Sequence, residues 1–206
     1  MSPRTDVSEE RKNQILDAAM ETFSKVGFHK ARMSDIADTS GLSKGALYWY
    51  FENKNDLINN LLARVFEPEI KDLRSLLTDP RPVDERLLVF AERSAEDMVK
   101  MLKWVPLVYD FIALAFRQEA IKESIKNIYQ QNMDILEMLI QQGIDSGQLV
   151  TDNAKDAAIA IGSILEGTVV LWIYDPIRID VKKHIMSNMK LLMRGLFPVN
   201  KQIRNR

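Results

Sequence analysis

The chain has 206 residues, 46% of them hydrophobic and 28% charged, the make-up of a folded soluble protein with enough apolar material for a core. Lys+Arg number 28 and Asp+Glu 29, a net charge of -1, so any binding to nucleic acid must come from a local patch rather than a polycationic chain. Cysteine is absent, which excludes disulfides and thiolate metal sites.

The opening MSPRTDVSEERKNQ is polar and has no apolar run of the signal-peptide kind, so a cytoplasmic protein is expected. Ser8 followed by Glu9 and Glu10 predicts a helix start, and Ile15, Leu16, Ala19, Met20 and Phe23 form its apolar stripe, with Gly27 as the stop. Short helices are predicted over 33–40 and 44–50. A longer one starts at Asn53, with Asp56 as capping partner, and runs to about Leu77, before Asp79-Pro80-Arg81-Pro82. Further helices are expected at about 83–103, 105–117, 119–146, 153–174 and 180–196, with Gly143 and Gly147 ending the longest. No useful strand alternation appears. The expected fold class is all-α, with a short-helix head (1–53) on a long-helix body (54–206), about nine helices in all.

Within LSKGALYWYF, residues 42–51, Ser43 fits as a helix cap, and Leu42 and Leu47 have the spacing of a hydrophobic staple. With Gly41 in the preceding turn and Ile36 and Ala37 packing on Leu42 and Leu47, the stretch reads helix, tight turn, helix. Leu47 and Phe51 then face inward, while Lys44, Gly45, Tyr48 and Trp49 lie at the exposed front. Gly45 costs about 1 kcal/mol relative to alanine in a helix. Gly45 and Ala46 in the first turn therefore imply close approach by something outside, and a DNA major groove fits. Tyrosine hydroxyls and a lysine ammonium suit phosphate oxygens.

At this point GLSKGALYWYFENKNDL resembles the helix-turn-helix signature of the TetR family of bacterial transcriptional repressors, Gly-Val-Ser-Lys-Gly-Thr-Leu-Tyr-His-Tyr-Phe followed by a lysine that opens the next helix. With the first helix and IADTSG, the likeness covers roughly residues 10–58. GQLVTDNAKDAAIAIGSILEGTVVLWIYDP is similar to the family's penultimate helix. The resemblance implies a homodimer on a near-palindromic double-stranded operator, released when a small molecule enters the body. It places Lys44 and Gly45 against bases or backbone, with Ser43 and Ala46 in the same first turn. Tyr48, Trp49 and Tyr50 would meet phosphates or base edges, and Lys54 would hold a phosphate. Arg32 stands where a capping Thr or Ser is usual, so that contact falls to Arg32 or Ser34; Trp49 stands where histidine is common. The first 56 residues are not net basic, with eight Lys+Arg against nine acids.

The stretch AAIAIGSILEGTVVLWIY, residues 157–174, is about as long as a membrane span, but Glu166 near its middle is costly in a bilayer. It is expected to be a helix buried on two sides, one against the interior of its own subunit and the other against a partner subunit, not a membrane segment. With 180–196 it would form the four-helix dimer interface that the resemblance implies. Met101, Trp104, Tyr109, Phe116, Tyr129 and Met133 belong to a Met- and aromatic-rich region that either lines an adaptable cavity or is plain core. Asp110 and Glu166, each within an apolar run, either await a cationic ligand or are satisfied by a hydroxyl such as Tyr109 or Tyr129. The expected effector is apolar or a cationic amphiphile.

No cofactor, metal site or enzyme activity is expected. Two histidines, His29 and His184, cannot build a multi-histidine site, Gly162 and Gly167 lead into Thr168-Val169 rather than a phosphate-binding lysine, and no Gly-x-Ser-x-Gly elbow occurs. The remaining alternative is a helical protein-binding adaptor without DNA binding, which would lack the steep salt dependence of phosphate contacts.

Overall fold

The computed structural model describes residues 3–196, with side chains from residue 7 onward, and these form nine α-helices, one 3-10 turn and no strand. In chain order they are α1 (Pro3–Val26), α2 (Met33–Ser40), α3 (Lys44–Tyr50), α4 (Lys54–Ser75), α5 (Val83–Met101), the 3-10 turn Leu102–Trp104, α6 (Val105–Ala115), α7 (Glu119–Asp145), α8 (Ala154–Tyr174) and α9 (Val181–Leu196). Ser8 lies inside α1 instead of capping it. Gly27, at φ 76°, takes the left-handed conformation that ends α1, and its N–H donates to Phe23 O at 2.8 Å.

The chain packs as two compact units, Met1–Glu67 with Lys103–Ile128 and Pro68–Leu102 with Tyr129–Arg206. A division at 53/54 is therefore not where packing separates, and residues 197–206 of the expected body lie outside the described residues. The reason is visible in the first unit's core. Ile15, Ala19 and Phe23 of α1 meet Ile36, Leu47, Leu57 and Ile58, and Leu107, Phe111 and Leu114 of α6 join the same cluster. Phe23 and Phe28 have ring centroids 5.4 Å apart, and Phe111 stands edge-on to both at 6.1 and 6.3 Å. Such aromatic pairs are worth about 0.5–1.5 kcal/mol beyond their buried area. Arg64 of α4 bridges to Asp17 at 2.9 Å, adding a half-exposed tie to α1.

In the second unit α9 packs on α5 and α8. The buried Arg86 fixes the end of α4: its Nη1 donates to Leu76 O at 2.8 Å and to Gln142 Oε1 at 2.8 Å. Gly143 is not a helix stop, since α7 runs through it to Asp145 and Gly147, at φ 69°, makes the turn. A Cβ on Gly143 would come within 2.6 Å of Leu149 and 3.0 Å of Val83, so glycine there admits close packing. Asn153 caps α8, accepting from the N–H groups of Lys155 and Asp156.

In the single chain α8 buries one side and leaves the other exposed. Ala154, Ala157, Ala158, Ile161, Leu165 and Thr168 are buried, whereas Ile159, Leu171, Ile173 and Tyr174 are exposed. By length and composition α8 is apolar enough to cross a membrane. The side expected to face its own subunit is the buried one, and the side expected to face a partner subunit is left uncovered by this chain.

Candidate nucleic-acid interface

The segment from α2 to α3 is set by backbone chemistry that the sequence spells out. Arg32, extended at φ -112° and ψ 154°, precedes α2, and its N–H donates to Asp35 Oδ2 at 2.9 Å. Its own side chain makes no capping bond. At the other end Gly41, at φ 68°, donates to Asp38 O and Leu42 N–H donates to Ala37 O, the paired bonds of a Schellman stop. Ser43 follows as the cap of α3, its Oγ accepting from Ala46 N–H at 3.1 Å, an arrangement worth about 1 kcal/mol. Leu47 is fully buried and Leu42 packs against the same core, as a staple requires. Gln14 of α1 donates to Ser40 O at 2.6 Å and locks the end of α2.

This leaves one side of α3 facing outward. Trp49 is 74% exposed and Tyr48 46%, beside exposed Ser43, Lys44 and Gly45, while Phe51 is buried. Lys44 Nζ lies 6.0 Å from the Tyr48 ring centre, and Trp49 stands edge-on to Tyr50 at 4.6 Å. Lys30 and Arg32 are exposed; Ser34, Ala46 and Tyr50 are half-buried. Gly45 is decisive. A Cβ there would meet nothing closer than Ser43 Oγ at 3.9 Å, so neither space nor backbone conformation in this chain asks for glycine.

Lys54 departs from its expected place. Its Nζ donates to Phe28 O at 2.8 Å and Ala31 O at 2.9 Å, with His29 O at 3.5 Å, and sits 4.4 Å from the Phe28 ring centre. An ammonium has three N–H donors, and in this structure two are held by close carbonyls while a third carbonyl stands at the edge of hydrogen-bond range. Burial also lowers the pKa of this ammonium from its ordinary value.

The residues expected to meet a ligand divide between the two units. Trp104, Tyr109, Asp110 and Phe116 belong to the first unit and Met101, Tyr129, Met133 and Glu166 to the second. Glu166 and Asp110 are exposed, so neither is the buried carboxylate that their apolar runs suggested, and Phe116 is 87% exposed. Met133 is packing: its Cε lies 3.3 Å from where a Cβ on Gly162 would stand, which pins it against α8.

A small cleft in the second unit has quite different walls, Glu69, Asp72, Leu73, Leu76, Phe90, Arg93, Ser94 and Asp97. Burial, with Asp97 close by, pushes the Glu69 carboxyl above its ordinary value, against a hydrogen bond donated by Ser94. Sequence reasoning passed over this site. Its signal was Glu69 at helical spacing with Leu73 and Leu76, an acid on an otherwise buried stripe.

Comparison with known proteins agrees with the geometry. The family described as bacterial regulatory proteins, tetR family, matches residues 15–61, and the QacR-like protein C-terminal region matches residues 84–196. The HTH-type transcriptional regulator AcrR of Shigella flexneri is 22% identical over 191 residues, covering 90% of this chain and 89% of its own. Among solved structures, SmeT, the repressor of the Stenotrophomonas maltophilia multidrug efflux pump SmeDEF, is 22% identical with a TM-score of 0.75 and 91% of each chain covered. FadR from Bacillus subtilis in complex with stearoyl-CoA is 24% identical with a TM-score of 0.69, over 88% of this chain and 97% of that one. The helix-turn-helix match and the match over most of the body together place this chain in the TetR family of bacterial regulatory proteins, as a DNA-binding transcriptional regulator and not an enzyme.

Proposed function

We propose that this protein is a repressor that binds a near-palindromic operator as a homodimer and is released by a small-molecule effector. The observation that carries the reading is the front of α3, where Gly45 has no reason within the chain and Lys44, Tyr48 and Trp49 stand exposed around it. A helix with a bare first turn can sink into a major groove, while flanking hydroxyls and cations hold phosphates. Lys44, Gly45, Ala46, Tyr48, Trp49 and Tyr50 on α3 and its cap Ser43, with Arg32 and Ser34 at the start of α2, form the proposed DNA-contacting set.

The homodimer reading rests on the side of α8 left bare and on exposed Leu191 of α9. A second copy would cover these apolar side chains and supply the twofold axis that a palindromic site requires. The effector is proposed to be apolar or a cationic amphiphile, and to act on the body. Triclosan, in a SmeT complex, is largely apolar, and stearoyl-CoA, on FadR, carries a long apolar acyl chain on a polyanionic CoA; both are held by relatives of the same fold.

The test is fluorescence anisotropy with a labelled duplex from upstream of the protein's own gene, at several salt concentrations. Tight binding that weakens steeply with salt, and that Tyr48→Ala weakens further, is the expected result. No binding to any duplex at low salt would sink the proposal. A thermal-shift and release screen with hydrophobic cations and long acyl compounds tests the effector class; indifference of both readouts to both groups would remove it.

A further inference from the structure

Lys54 opens α4, where the helix dipole is positive and a cation is unfavourable by about 0.3–1 kcal/mol. The position makes sense through what the ammonium touches. Phe28 O and Ala31 O, at 2.8 and 2.9 Å, belong to the segment between Gly27 and Arg32 that joins α1 to α2. That segment has little regular bonding of its own: Gly27 N–H closes α1, and Ala31 N–H donates to Gly27 O at 3.2 Å. Its carbonyls converge on one point, and the point is occupied by Lys54 Nζ, with the Phe28 ring as a further wall. Phe28 is anchored below by Phe23 and Phe111. Exposed Lys30 and Arg32 rise from the same segment, and Ser34 follows in the first turn of α2.

We infer that Lys54 is a positioning residue that meets no phosphate: its ammonium gathers the carbonyls of Phe28, His29 and Ala31 and so fixes where Lys30, Arg32 and the start of α2 are presented to DNA. This rests on the DNA-binding reading above and changes which cation meets the DNA. A phosphate contact and a carbonyl anchor respond differently to the same substitutions. Loss of a phosphate contact lowers the slope of log K against log salt by about 0.9 for each contact. Loss of an anchor weakens binding with little change in slope, because the number of neutralised phosphates is set by other side chains. Arginine suits a phosphate at least as well as lysine, but its flat fork cannot aim at three converging carbonyls.

The experiment compares the full-length wild type with Lys54→Met, Lys54→Arg and, as a control at the exposed front, Lys44→Met. Each is titrated by anisotropy on the same upstream duplex across a salt series. For Lys54→Met the expected result is binding weakened about tenfold, the size of losing one good contact, with the wild-type slope kept. Lys54→Arg is expected to remain weak, and amide hydrogen exchange of residues 28–35 to quicken in both Lys54 variants. A lower slope in Lys54→Met, or full recovery in Lys54→Arg, would overturn the inference in favour of a phosphate contact. Unchanged affinity and exchange in both variants would overturn it as well, and so would loss of the folded first unit in both, which would make Lys54 a requirement of folding alone. Failure of the wild type to bind any duplex would strike the DNA-binding reading instead, so the two failures are distinguishable.

Discussion

The front of α3 and the bare side of α8 are both apolar surfaces left in water by a single chain, and they differ in their surroundings. On α3 the rings of Tyr48 and Trp49 stand beside Lys44, the Ser43 hydroxyl and a glycine. On α8 the exposed side is Ile159, Leu171, Ile173 and Tyr174, with Glu166 among them and Lys155 one turn before Ile159. Rings mixed with cations and hydroxyls suit a polyanion with flat bases. A mainly aliphatic side suits another apolar surface. Exposure alone does not name a partner, but the company an exposed residue keeps narrows it. Salt should also divide the two: phosphate contacts weaken as counterions accumulate, whereas apolar association holds or strengthens.

The largest effect is expected from Leu171→Asp. An unpaired charge placed in an apolar contact costs about 3–5 kcal/mol, so the dimer dissociation constant should rise a hundredfold or more. Sedimentation should show monomer at concentrations where the wild type is dimeric, and affinity for a palindromic duplex should fall with it. A variant that stays dimeric would detach the α8 surface from self-association. Next in size, Tyr48→Ala should weaken DNA binding by about 1–3 kcal/mol at fixed salt while leaving the dimer intact. If sedimentation changed and DNA binding did not, the two surfaces would have been assigned the wrong way round.

Gly45→Ala should divide stability from function at a single position. The free protein should gain up to about 1 kcal/mol in denaturant unfolding, because nothing nearby resists a Cβ. DNA binding should weaken, because the methyl group enters the space assigned to the groove. A stabilised variant with unchanged affinity would remove the glycine from the interface. The smallest effect belongs to Glu69, away from both surfaces. Its folded pKa is raised, so its favourable contribution is complete below the unfolded value of about 4.3 and is lost as pH rises through the folded one. Glu69→Gln should therefore raise the melting temperature at pH 7 to 8, with the gain vanishing toward pH 4. A gain that persists at pH 4 would mean that charge is not its source.

The head was legible because its signals are local. Ser43 as cap, Leu42 with Leu47 as staple and Gly41 as stop all act within a few residues, and the structure places each as its spacing required. The helix order of the body was legible from apolar periodicity and sparse breakers. What escaped depends on contacts distant in sequence. Lys54 reads as a free cation until the carbonyls 23 to 26 residues earlier are seen around it. Phe111 gives no sign in its own helix that it completes the core of the head. Gly143 looks like a stop until Leu149 folds back over it. Glu166 looks buried because its neighbours are apolar, yet they are apolar on a side that this chain leaves uncovered.

One feature of α4 bears on how the molecule loosens. Pro68 stands within the helix, at the boundary of the two packed units, and offers no amide hydrogen to the carbonyl of Arg64. The hydrogen-bonded ladder is thus interrupted where the packing partners change. Amide exchange should accordingly divide α4 into two blocks that open independently, one protected with the head and one with the body. A helix of this kind can carry a displacement along its length while unravelling on one side stops at the proline.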